Sequence, residues 1–313
     1  MHAASLPSPS VFSVCGMNRT RIQIAKADIV KHFDLLPAHV LKLKEVRAIL
    51  VEQRAFWRLA QNTTAADFIA FLRQQAKLKE VAFPFPQRPE QVYVWGDVPL
   101  LAVLLSLRKK LYLSHYTAMR LHGLTEQSPT TIYLTEERSS GSTGQHERPR
   151  LDQDDIDQSF SRAQRISHNW VEHAGKKIYL LNGAYTAQLG IVTERVTDEG
   201  GDEVLARLTD LERTLIDITV RPVYAGGVFE VAKAFELAKD RVSVNKLVAT
   251  LRKLDFAYPY HQAIGYYLER ASYKPSQIDL IRRVPIEHDF YLAHEMGKTR
   301  YVKEWRLHVP DGF

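Results

Sequence analysis

The sequence predicts an α+β protein in which an N-terminal winged helix-turn-helix is followed by a mixed α/β domain ending in a helical bundle. Three observations carry this reading. All of the excess positive charge lies in the first quarter of the chain. Two helix-period segments there lead into a proline-tipped hairpin pattern. Beyond Val98, strand-like runs give way to three consecutive helical patterns.

The 313 residues include 42 Lys and Arg against 36 Asp and Glu, a net charge of +6. Between Met17 and Phe83 there are twelve basic and six acidic residues, whereas the 230 residues from Pro84 onward carry thirty of each. A one-sided excess of this kind is the electrostatic footprint expected of a nucleic-acid-binding module, although a solvated helical surface explains the charge alone equally well. A single cysteine, Cys15, rules out an internal disulfide framework and a cysteine-rich zinc site. The most apolar run, Val98 to Leu107, is about half the length needed to cross a bilayer. No membrane partner is expected, and a bacterial cytoplasmic location fits. Residues 1–16 lack both the basic start and the long apolar centre of a secretory signal. They read as a flexible extension, with residues 17–97 as the winged-helix domain and 98–313 as the second domain.

In the first domain, Lys44 to Ala60 places Val46, Ile49, Leu50, Phe56 and Trp57 at helical spacing. A polar turn, Gln61 to Thr63, separates it from a second helix over Thr64 to Lys77 with Phe68, Ile69 and Leu72 inward. Two helices joined by so short a turn form a helix-turn-helix, whose second helix enters the major groove. Leu78 to Phe83 and Gln91 to Trp95 are β-prone and flank the tip PFPQRPE, completing a wing. The candidate DNA-binding residues are Thr63, Thr64, Arg73, Gln74 and Lys77 along the helix, with Lys79 and Arg88 on the wing. Arginine and glutamine can pair bidentately with guanine and adenine edges, while lysine and threonine suit phosphates.

The second domain opens with an apolar helix, then a helix from about Ser114 stopped by Gly123, and a strand over Thr131 to Thr135. Strand-like runs follow at Ile178 to Leu181 and Gln188 to Arg195. Thr209 and Glu212 match a capping box, and Leu208, Leu211, Leu215 and Ile218 form the apolar stripe of the helix it starts. Glu212, Arg213 and Asp217 fall off that stripe, Pro222 ends the run, and Gly226-Gly227 relaxes the chain before Val228 to Ala238. A Ser243-capped helix and one over Pro259 to Ala271 close the pattern. Capped helix, break and helix is a scaffold arrangement, because neither carboxylate has a histidine or second acid at reaction-centre spacing.

The stretches YLSHYTAMRLHGLTEQSPTTIYLT and LTDLERTLIDITVRPVYAGGVFEVAKAF resemble the AbiEi family of antitoxins from type IV toxin–antitoxin and abortive-infection systems. The resemblance covers roughly Val98 to Ala271. Its most specific positions are Ser114, Ala118, Leu121, His122, Gly123 and Leu124, then Glu212, Arg213, Thr214, Leu215, Asp217, Pro222, Gly226 and Gly227. It implies an α/β antitoxin domain behind a winged helix, no enzymatic activity and no cofactor. The implied partners are double-stranded operator DNA bearing inverted repeats and a cognate nucleotidyltransferase toxin. The chain departs from the family pattern in an insertion at 136–162, which reads as a mobile loop.

Two rival readings follow from the residues. A winged-helix regulator with no toxin partner fits the first domain equally well. Gly141-Ser142 with Asp155 and Asp157 mimics a metal-dependent nucleotidyltransferase, in which Gly-Ser cradles triphosphate and paired carboxylates on a strand hold metal ions; the polar, proline-containing context argues for coincidence. His115 and His122 share a helical face, and His168 and His173 lie five apart, but neither pair has a third ligand of zinc spacing. Ser114 and His115, as neighbours in a helix, are expected to point apart. The aromatic residues Phe256, Tyr258, Tyr260, Tyr266, Tyr267 and Tyr273 suit a partner surface or the packing of the last helices.

Overall fold

The computed structural model describes residues 20–128, 130–140 and 151–313. The expected extension over residues 1–16 and the Gly141-Ser142 pair lie outside them. The chain is mixed α+β and divides into two compact units. One comprises the described residues up to Glu80 together with Tyr93–Gly96, and the other Val81–Val92 together with Asp97–Phe313.

The first unit runs α1 (Arg21–Ile24), α2 (Lys26–Asp34), β1 (Val40–Leu41), α3 (Leu43–Gln53), α4 (Ala65–Gln75) and the hairpin strands β2 (Leu78–Phe83) and β3 (Glu90–Trp95). The strand order is β1-β3-β2, and β1 lies antiparallel to β3 with Val40 opposite Val94. Apolar residues at helical spacing meet in an aromatic core. Phe33 packs on Trp95 with ring centroids 4.8 Å apart, and Trp57 stacks on Phe68 at 5.7 Å. α4 starts where the sequence places it, because Thr64 Oγ1 accepts from the Asp67 amide at 3.1 Å while the Asp67 carboxylate accepts from the Thr64 amide at 3.0 Å. The expected helix to Ala60 instead stops at Gln53. Reading Phe56 and Trp57 as one stripe hid the break, since Trp57 is buried whereas Phe56 is 73% exposed. The Arg54 guanidinium bonds to the carbonyls of Ala60 (2.6 Å), Gln61 (3.2 Å) and Thr63 (2.9 Å), holding a connector much longer than the expected three-residue turn.

The boundary between the units does not fall at a single point near residue 97, because the distal hairpin belongs with the second unit. Phe83 and Phe85 are buried there, Phe83 packs on His173 at 4.7 Å, and Gln87 exchanges hydrogen bonds with Asn169 and Asn182. The tip PFPQRPE is thus anchored by Phe83 at its base and Phe85 within it.

The second unit adds α5 (Leu100–Leu105), β4 (Tyr112–Leu113), α6 (His115–Leu121), β5 (Thr131–Glu137), α7 (Gln153–Phe160), β6 (Trp170–His173), β7 (Lys176–Gly183), β8 (Ile191–Thr197) and β9 (Glu203–Thr209). These strands form a six-stranded sheet in the order β6-β7-β5-β4-β9-β8, parallel at β5/β7 and β4/β9 and antiparallel elsewhere. Helices α8 (Leu211–Val220), α9 (Val228–Ala238), α10 (Val244–Leu254), α11 (Tyr260–Arg270) and α12 (Pro275–Arg282) follow. The chain does not end in that bundle: β10 (Phe290–Tyr291), β11 (Thr299–Val302) and β12 (Leu307–Pro310) make a further sheet of order β10-β12-β11. Among the described residues no helix is long and apolar enough to cross a membrane.

The expectation of a mobile loop over 136–162 is corrected where those residues are described. β5 continues to Glu137, and Asp152 caps α7 by accepting from the Asp155 amide at 2.8 Å. Ile156 and Phe160 are four apart, so both fall on one helical face and are buried in the core. The aromatic residues near the C-terminal helices are mostly core, with Tyr260, Tyr266, Tyr267 and Tyr273 buried.

The final sheet is locked by a close approach at Gly265 on α11. A Cβ there would lie 2.2 Å from the ring of Trp305, which is itself fully buried. Overpacking of a filled core costs about 1–3 kcal/mol or more, so Gly265→Ala is expected to destabilise by at least about 3 kcal/mol. Urea denaturation of the two proteins checks this; an unchanged midpoint would refute the packing described.

Candidate functional site

The outward face of α4 presents Ala66, Asp67, Ala70, Arg73 and Gln74. Of the residues expected to meet DNA, Thr64 is occupied by its capping role and Thr63 is half-buried. Arg73 pairs with Glu80 across an exposed surface, and Lys77 donates to Asp34 at 2.8 Å. Asp34 also accepts from Trp95 Nε1 at 2.7 Å. The bonds from Lys77 and then Trp95 hold its carboxyl below the ordinary value. Lys77 therefore tethers α4 to α2 as well as adding charge. Gln74 and Lys79 are exposed, and Arg88 is 74% exposed beside Glu90 at 3.6 Å.

The two stretches that carry the family resemblance meet inside the second unit. α6 ends in a Schellman motif: His122 is the C-cap, Gly123 takes φ +65°, and the Leu124 amide donates to the Met119 carbonyl at 2.8 Å. The His122 ring is bonded through Nε2 to the Thr209 carbonyl at 2.7 Å, joining the end of α6 to the start of α8. The expected Thr209–Glu212 capping box is not formed. Thr209 completes β9, and Asp210 caps α8 by accepting from the Arg213 amide at 2.7 Å. Glu212 is thereby free to accept from the Ser243 amide at 2.9 Å and to pair with Lys246 at 2.8 Å, while Lys246 also meets Asp210 at 3.0 Å. Burial opposes ionisation of Glu212, but the bonds from Lys246 and the Ser243 amide outweigh it and hold the carboxyl low.

α8 has no solvent-facing polar side: every residue from Glu212 to Thr219 is buried. Arg213 Nε donates to Asp217 at 2.7 Å, and its Nη1 donates to the Leu189 carbonyl at 2.7 Å. Glu137 closes the neighbouring loop by accepting from the amides of Thr186 (3.0 Å) and Gln188 (3.1 Å). Gly190, at φ +73°, passes so close that a Cβ would sit 2.8 Å from that of Arg213. Burial first, and then the Asp217 carboxylate, push the Tyr112 phenol above its usual range. Gly226 and Gly227 both take positive φ and lead into α9.

Ser114 and His115 do touch, contrary to expectation, because Ser114 is an extended N-cap and His115 adopts φ +50°. His115 Nδ1 lies 2.9 Å from Ser114 Oγ, which is 2.7 Å from Thr135 Oγ1. Ser114 has no exposed surface, so an external substrate cannot reach its hydroxyl. Asp155 and Asp157 lie on α7, not on a strand; two residues apart on a helix they point about 200° from one another, whereas on a strand they would share a face. Asp157 instead accepts from Gln153 at 2.7 Å and Tyr291 at 3.1 Å. Among the described residues no group of three or more His, Cys, Asp or Glu is arranged to hold a metal.

No family model matches the chain, and no curated protein is similar to it in sequence. Among solved structures, the chain is similar to the RV2827C protein from Mycobacterium tuberculosis. The TM-score is 0.56 and the sequence identity 14%, with 91% of each chain covered. At that identity the likeness concerns the fold alone.

The residues that complete the buried network but were not singled out are Tyr112, Glu137, Gly190, Asp210 and Lys246. Only Asp210 carried a signal, an aspartate directly before a helical run. Breaking the buried ion pair by Asp217→Asn should cost about 3–5 kcal/mol, because it strands the Arg213 charge. Lys246→Ala, at a half-exposed pair, should cost about 1 kcal/mol or less. Chemical denaturation distinguishes the two, and equal losses would contradict the network.

Burial pushes the pKa of His115 down to about 4, against the opposing pull of Asp217 and with Arg221 and Arg213 lowering it further; burial takes His261 to about 4 as well. The unfolded chain therefore binds protons that the folded chain refuses as pH falls below the ordinary histidine value. Stability should drop between about pH 6.5 and 4. His115→Asn, which tolerates the left-handed backbone and cannot titrate, should show a shallower fall in Tm across that window; an unchanged slope would remove His115 from the account.

Proposed function

We propose that the chain is an antitoxin and DNA-binding transcriptional autorepressor of a type IV toxin–antitoxin operon, with no enzymatic activity, counteracting a nucleotidyltransferase toxin. The observation that carries the reading is that the two resembling stretches, some ninety residues apart in sequence, interlock through His122 and Thr209 and bury Ser114, Thr117, Glu212, Arg213 and Asp217 within one scaffold. A polar cluster that is fully paired and inaccessible fits a structural marker better than a reaction centre. The order α1-α2-β1-α3-α4-β2-β3 with strand order β1-β3-β2 supports a winged helix in the first unit. In this reading α4 enters the major groove and repression is by occlusion.

Arg73 is the best-placed base or phosphate contact, since an exposed ion pair such as Arg73–Glu80 is worth about 1 kcal/mol or less and exchanges readily for a phosphate. Binding to the DNA upstream of the chain's own gene, measured by fluorescence anisotropy, should weaken about tenfold in Arg73→Ala, and the slope of log affinity against log salt should shrink by about one. An unchanged affinity would displace α4 from the groove.

Antitoxin activity is tested by co-expressing the neighbouring open reading frame with and without the full chain and scoring growth. Rescue by both the natural chain and the Arg73→Ala, Gln74→Ala variant is expected, because neutralisation is assigned to the second unit. A harmless neighbour would leave a free-standing DNA-binding regulator as the better description.

A further inference from the structure

From Arg21 to Leu35 the chain is helical but for a turn at Ala25, and the hydrogen-bond ladder runs through that turn. The Ala25 amide donates to the Arg21 carbonyl at 3.0 Å, and the Ile29 amide donates to the Ala25 carbonyl at 3.0 Å. Ala25, Ile29 and Phe33 recur every four residues and are buried. The outward side carries Ile24, Asp28, Lys31 and Leu35, spaced four, three and four apart, which at helical period fall within about 60° of one another. A solvent-facing stripe is ordinarily polar. Here its two ends are large apolar side chains, Ile24 being 69% and Leu35 74% exposed. Between them stand an exposed acid and an exposed base, and among the described residues the side chains of Asp28 and Lys31 have no hydrogen-bond or ion-pair partner. Asp34, beside the stripe, is by contrast taken up by Lys77 and Trp95. Ala27 flanks the middle of the stripe and leaves an open groove that also borders Ile24, Val30, Lys31 and Leu35.

A spacing of four, three and four reads the same in either direction. Turned about a twofold axis midway between Ile29 and Val30, the stripe therefore meets its own copy in register, with Ile24 opposite Leu35 and Asp28 opposite Lys31. We propose that this stripe is the surface on which a second copy of the chain packs, its own stripe running antiparallel. Each apolar end meets an apolar end of the other copy. The four central charges alternate in sign, because Asp28 and Lys31 are neighbours along one helix, about 4.5 Å of rise apart, as well as across the axis. The small Ala27 beside the axis lets the two helices approach to about 8–10 Å. A parallel pairing would set Asp28 on Asp28 and Lys31 on Lys31. A phosphate backbone would be repelled by Asp28 and would leave both apolar ends in water. Only the antiparallel copy satisfies all four positions, and the pairing involves the first unit alone, independently of the antitoxin reading.

The test is sedimentation equilibrium of the full chain without DNA, at loading concentrations up to about 300 μM, since a contact this narrow makes a weak dimer. The natural chain is expected to dimerise. Asp28→Lys and Lys31→Asp, both at exposed positions, should each weaken dimerisation about tenfold or more, because like charges then face one another across the axis. Mixing the two variants in equal amounts should restore association, and so should both changes in one chain, since either arrangement again sets acid against base. Misfolding of a variant cannot produce that recovery. The proposal is overturned if the natural chain stays monomeric at the highest concentration, if either single reversal leaves the dimer intact, or if the mixture or the double variant associates no more tightly than the single ones.

Discussion

The second unit depends on one buried charge pair. Arg213 and Asp217 lie a turn apart on α8, and their side chains are only 8% and 10% exposed. Taking two charges out of water is costly, and the cost is recovered only if their remaining hydrogen-bonding capacity is met. Arg213 therefore requires the Leu189 carbonyl, and that requirement fixes the 184–190 loop, which in turn admits only glycine at 190. Asp210 serves two ends of the same problem, capping α8 through one oxygen and meeting Lys246 through the other. The path from β9 into α8 and across to α10 is thus set by polar geometry, while apolar burial supplies the bulk of the stabilisation.

That constraint explains why a motif so rich in charge in the sequence is buried and paired in the structure. Its carboxylates are all engaged: Asp217 with Arg213, Asp210 with Lys246 and a helix amide, Glu212 with Lys246 and Ser243. A general base needs a lone pair that substrate can reach, and a nucleophile needs an exposed atom. Ser114 and His115 come nearest to that description, but the serine is sealed between Thr135 and the imidazole.

Local patterns were legible where one periodicity and one cap acted alone. Val228–Ala238 appears over the span its apolar spacing indicates, Ser243 caps α10, and Gly123 stops α6. The pattern misled where tertiary demands competed with local ones. Thr209 and Glu212 satisfy a capping box on paper, but β9 needs Thr209 as its last paired residue, so the cap moves to Asp210. Glu212, Arg213 and Asp217 fall off the apolar stripe and so suggest a solvated face; partners distant in sequence bury them instead. The short strands β10–β12 escaped notice because two to four residues give no measurable alternation. In the 136–162 insertion, polar composition concealed Ile156 and Phe160, the two residues that anchor α7.

The hairpin complicates any division of labour drawn at a single residue. Its base, at Leu78 and at Tyr93 and Trp95, sits in the core of the first unit, while Phe83 and Phe85 are buried in the second. A cut at residue 97 would remove both rings and leave Asn169 and Asn182 without Gln87, exposing apolar surface and unpaired amides in the part retained. Loss of function in such a truncation would then report misfolding as readily as the absence of a DNA-binding module. Point variants on the exposed end of α4 avoid this ambiguity, since Arg73 and Gln74 contribute little to either core.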